Sequence, residues 1–68
     1  MLDDNTYNLL TQLVQEHKSL WRIKNMYLED SSNSDDDKVV RFWEQLINEK
    51  ERNITELLDL VRIKLEVD

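Results

Sequence analysis

Apolar residues recur along this chain every three or four positions, with a single interruption. Between Asp30 and Asp37 no residue is apolar. On either side the spacing is that of an amphipathic α-helix. At about 100° per residue, Leu9, Leu10, Leu13, Val14, Leu20, Trp21, Ile23, Tyr27 and Leu28 fall on one half of a helix. Gln15, Lys18, Ser19, Arg22 and Glu29 fall on the other half. Beyond the break the stripe is Val39, Val40, Phe42, Trp43, Leu46, Ile47, Ile54, Leu57, Leu58, Leu60, Val61 and Leu65. The pattern predicts one all-α domain over 1–68, with helix 1 at about 4–29, a turn at 30–35 and helix 2 at about 36–66. At ~1.5 Å per residue these are rods of roughly 39 and 46 Å. A short link between two long helices predicts an antiparallel hairpin.

The interruption explains itself chemically. Ser, Asn and Asp side chains bond to nearby backbone and draw it out of the helix. Ser34 or Asp35 is placed to cap helix 2, and the acids at 35–37 then meet the positive end of its dipole. Asp3, Asp4 or Asn5 is placed to cap helix 1. Glu29 and Asp30 sit unfavourably at the negative end of helix 1, which predicts fraying there.

Both stripes are wider than two helices can cover by touching each other. A chain of 68 residues has little core to spare. A long exposed apolar face implies a partner. The simplest partner is a second copy, so the expectation is a homodimer in which two hairpins form a four-helix bundle. Its expected core and interface residues are Leu10, Leu13, Val14, Trp21, Trp43, Ile47, Ile54 and Val61. The alternatives are a higher oligomer of the same chain or a helix of another protein.

Four polar residues fall within the stripes: His17 and Lys24 in helix 1, Lys50 and Asn53 in helix 2. If position i faces about 65 minus i across the hairpin, His17, Lys50 and Asn53 share one layer, bordered by Glu16 and Glu49. A buried polar layer fixes register and oligomer state in helical bundles. The sharper alternative is a metal site built from His17, Glu16 and Glu49. Lys50 opposes it by bringing a positive charge to the same layer.

Composition narrows the chemistry further. The chain has no Gly, no Pro, no Cys and no Ala. Without Cys there is no disulfide scaffold, thiolate metal site or thiol nucleophile. Without Gly there is no Gly-rich phosphate loop. Asp35-Asp36-Asp37 lacks the alternation and the Gly of a calcium loop. The net charge of -6 argues against nucleic acid and anionic membranes as partners, because both demand a cationic surface. No apolar run approaches the ~20 residues of a membrane span, and the acids at Asp3 and Asp4 do not suit a secretory signal. A cytoplasmic, non-enzymatic interaction module without cofactor is the expectation.

The run from Phe42 to Leu57, Phe-Trp-Glu-Gln-Leu-Ile-Asn-Glu-Lys-Glu-Arg-Asn-Ile-Thr-Glu-Leu, resembles the second helix of a ferritin-like, rubrerythrin-type hairpin. His17 followed by Leu20, Lys24 and Tyr27 resembles its partner helix. The resemblance implies a helical bundle with dimeric assembly. It also implies that the family's di-metal site is lost or rewritten here. Lys50 and Asn53 stand where the Glu-x-x-His motif is expected, and His17 stands where the first helix carries its Glu.

Overall fold

A computed structural model describes residues 3–66 as an all-α helical hairpin. Its first arm is α1 (Asp4–Arg22), a π-helical segment (Ile23–Tyr27) and α2 (Leu28–Asn33), which run on without a break. Its second arm is α3 (Asp37–Glu66). No helix among these residues is long and apolar enough to cross a membrane. The hairpin is slender, 52 × 16 × 13 Å.

Contacts between the arms run in opposite order along the chain. Tyr27 meets Trp43 near the turn, and Glu16 meets Lys50 at mid-length. Farther on, Asn5, Asn8 and Leu9 line a groove with Leu57 and Lys64. The buried or half-buried residues of α3 include Val40, Trp43, Ile47, Lys50, Ile54, Leu57 and Val61. Their steps alternate three and four, which is the heptad seam of a coiled coil. The first arm answers with Thr6, Leu9, Leu13, Glu16, Leu20 and Ile23 in the same rhythm. Among the described residues Ile23, Ile54 and Val61 are the buried apolar ones, each contributing roughly 1.5–3 kcal/mol of burial.

After Ile23 the rhythm changes. The Leu28 N–H bonds to the carbonyl of Ile23, five residues back instead of four. Such a π turn admits one extra residue. The next seam residues are therefore Leu28 and Ser31. Asn25 Nδ2 donates to the Trp21 carbonyl at 2.9 Å where the ladder changes. Ser31 is buried, and its hydroxyl donates to the Leu28 carbonyl at 3.0 Å.

The first arm runs to Asn33, four residues past the expected end near 29, and the turn contracts to 34–36. In place of the expected fraying, the end is closed by hydrogen bonds. Asp36 N–H donates to the Ser31 carbonyl at 3.1 Å, and Asp35 N–H to that of Ser32 at 3.2 Å. This is the Schellman pattern. Asp35 holds its left-handed position at φ 54, where Gly is the usual choice and Asp a tolerated one. The N-cap of α3 is Asp36, in place of the expected Ser34 or Asp35. Its carbonyl accepts from Val40 N–H at 2.9 Å, and its side chain accepts from Val39 N–H at 3.4 Å. At the other end Asp3 caps α1, accepting from Thr6 N–H at 2.7 Å.

Candidate interaction surfaces

Among the described residues, the buried and half-buried part of the seam carries its charged pair at mid-length. Lys50 Nζ donates to Glu16 Oε2 at 3.0 Å, and the two side chains are only 18 % and 14 % exposed. Glu16 Oε1 also accepts from Gln12 Nε2 at 2.9 Å. Both carboxylate oxygens are thus engaged. A heptad slip would set Lys50 level with apolar Leu9 or Ile23 and leave a half-buried ammonium unpaired. The pair therefore specifies register.

On the single hairpin the four members of the expected polar layer do not share one environment. Lys50 lies in the seam, but His17, Lys24 and Asn53 are exposed on the hairpin. The seam passes through Glu16, and the next residue on a helix is turned about 100° away. Lys24 instead bridges the arms outside the seam, 3.6 Å from Glu51. Of the expected core, Ile54 and Val61 are buried, and Leu10, Leu13, Trp43 and Ile47 are half-buried. Val14 and Trp21 are exposed, at 49 % and 60 %. Ser19, expected on the solvent side, is half-buried.

The metal set does not assemble. Glu16 is committed to Lys50. His17 and Glu49 lie on opposite sides of the seam, and Glu49 accepts from Gln45 at 3.2 Å. Among the described residues no three His, Cys, Asp or Glu side chains gather as a metal-binding group. The residues that would replace the ferritin-like ligands, Lys50 and Asn53, do not fit a metal either. One is an ion-paired cation and the other faces solvent.

The hairpin has two broad sides. Because the arms run in opposite order, residues that follow a seam position on either arm share one side. Lys24 and Glu51, which follow Ile23 and Lys50, touch there. Residues that precede a seam position share the other side: Gln12, Asn53, Glu56 and Leu60 line one groove. The first side carries exposed Tyr7, Val14, Trp21 and Leu58. The second carries exposed Val39, Phe42, Leu60 and Ile63. It also carries Tyr27, whose ring lies 5.2 Å from that of Trp43, while Phe42 packs edge-on against Trp43 at 5.1 Å. Sequence reasoning missed Glu16 as a seam residue. The alternating three-and-four spacing of Leu9, Leu13, Leu20 and Ile23 was the signal that marks it.

No family model, curated protein or solved structure matches this chain.

Proposed function

We propose that this chain is a non-enzymatic assembly module, an antiparallel two-helix hairpin that pairs with a second copy as a four-helix bundle. The observation that carries the reading is the exposure of large apolar residues on a hairpin whose own seam is one heptad stripe wide. Tyr7, Trp21, Phe42 and Leu65 are each more than half exposed. The accessible surface is 5411 Å², against about 4,600 Å² for a compact monomer of this mass. The excess, on the order of 800 Å², is what one partner buries in an interface of standard size. The hairpin's own core is too small to make a robust monomer, so association and folding stability are linked.

Sedimentation equilibrium on the untagged chain at ten to several hundred micromolar tests this, with a dimer expected across the range. A monomer with full helicity throughout would overturn it. The aromatic group of Tyr27, Phe42 and Trp43 favours a second reading, in which one side receives a helix of another protein. That reading expects a folded monomer which gains thermal stability only in a heterologous complex.

A further inference from the structure

We infer that the second copy covers the side bearing Trp21, first arm against first arm in opposite directions, about a two-fold axis between Val14 and His17. This rests on the self-association proposed above and adds which surface is used and how.

Spacing is the first argument. Tyr7, Leu10, Val14, His17, Trp21 and Lys24 repeat the three-and-four rhythm one residue beyond the seam. The first arm therefore carries two adjacent heptad stripes, as does a helix that touches two neighbours. Read backwards, this stripe maps onto itself. Reversal sets Leu10 against the partner's Trp21, Val14 against the partner's His17, and Tyr7 against the partner's Lys24. The first contact is apolar, and the last sets an ammonium beside a phenol ring, a favourable pairing. An isologous dimer requires such self-complementarity.

Charge is the second argument, and it separates the two sides. The Trp21 side mixes Lys24, Arg41 and Arg62 with Glu29, Glu44 and Glu51; Lys24 pairs with Glu51, and Arg62 with Asp59 and Glu66. Two copies can meet there with cations set among the acids, although each chain carries -6. The opposite side sets Arg22 alone against Asp30, Glu49 and Glu56. In addition, Glu49, Asn53 and Glu56 interrupt its apolar residues at mid-length. Like charges facing each other disfavour self-pairing there.

Size is the third argument. The stripe from Tyr7 to Lys24 covers about 26 Å of helix at ~1.5 Å per residue. Packing it against itself covers Tyr7, Val14 and Trp21, which contribute to the surface excess of the slender hairpin.

The test compares Val14→Glu with Phe42→Glu, one on each side, by sedimentation equilibrium, with circular dichroism as a check on folding. Val14 is half exposed and lies outside the seam, so Val14→Glu leaves the contacts between the two arms in place. The expected result is a rise of roughly tenfold or more in the dimer dissociation constant for Val14→Glu and little change for Phe42→Glu. As the chain has no Cys, Val14→Cys and Phe42→Cys give an independent readout that introduces no charge. A short bis-maleimide is expected to link two copies at position 14 and not at position 42.

Weakening and cross-linking at position 42 alone would overturn the proposed surface while leaving self-association standing. Equal effects at both positions, or none at either, would also overturn it. A wild-type monomer at all concentrations would overturn both proposals.

Discussion

The two ends of the hairpin are built by different rules. From Thr6 to Ile23, and across the facing part of α3, one heptad rhythm governs every seam position. From Ile23 to the turn that rhythm is interrupted by a π turn, then closed by a left-handed aspartate. Had the α-helix continued unaltered, the four- and three-residue steps after Ile23 would bring Tyr27 and Asp30 into the seam. The extra residue brings Leu28 and Ser31 instead. An aspartate facing the apolar seam would be costly, whereas Ser31 satisfies its hydroxyl on the Leu28 carbonyl. Tyr27 is thereby moved to the flank, where it lies against Trp43. The regular end determines how the arms pair, and the irregular end adjusts phase so that the pairing survives to the turn.

The contrast is broken most directly at its regular end. Glu16→Ala leaves Lys50 half-buried without its carboxylate. Losing one partner of a fully buried pair costs ~3–5 kcal/mol, and partial exposure reduces this to about 1–3 kcal/mol. Urea denaturation followed at a fixed chain concentration measures it. Combining Glu16→Leu with Lys50→Leu removes both charges, and the expected stability equals or exceeds that of the wild type. A single variant as stable as the wild type would deny the pair any part in holding the seam.

The irregular end is sharpened by Asp35→Gly. Asp35 sits at φ 54, a conformation that glycine adopts without steric penalty. No hydrogen bond of the Schellman closure uses its side chain, since both run between backbone groups. The expected gain is roughly 0.5–1 kcal/mol, seen as a higher urea midpoint at unchanged slope. A loss of stability would mean that the aspartate side chain itself supports the turn.

The same contrast marks what could be read from the sequence. The all-α class and the single interruption were legible, because polar Asp and Ser residues replace the periodic apolar ones between Asp30 and Asp37. One of three candidate caps, Asp3, is the one that caps α1. The seam's centre was not legible from a constant angle per residue. The first arm carries two stripes one residue apart, and averaging them moves the centre from Glu16 to His17. The π turn left no mark in composition. It follows from which side chains the second arm can accept beyond Ile23, and that is a property of the pairing. The end of the first arm was underestimated for a related reason: Asp30 to Asn33 are poor helix formers. They remain helical because Ser31 reaches the seam and the closure at Asp35 and Asp36 ties the last carbonyls.

The smallest expected effect lies at the open end, where one carboxylate closes the regular stretch. The Asp3 carboxyl is held below the usual carboxylate range, first by the Thr6 backbone N–H it accepts, then by the Thr6 side chain, with a minor contribution from Lys64. Its folded value is lower than its unfolded one. The stability it adds is therefore fully present above the ordinary aspartate value and is lost as pH falls through the folded value. Asp3→Asn keeps an acceptor for the cap but cannot titrate. The variant is expected to be slightly less stable at neutral pH and to converge on the wild type in acid. Because the contact is a short hydrogen bond at 2.7 Å, moderate salt should leave the difference largely intact, unlike that of a long-range surface charge. Thermal melts at neutral pH and at about pH 2 measure the convergence, and a constant offset between the two curves would show that the carboxylate's charge plays no part in the cap.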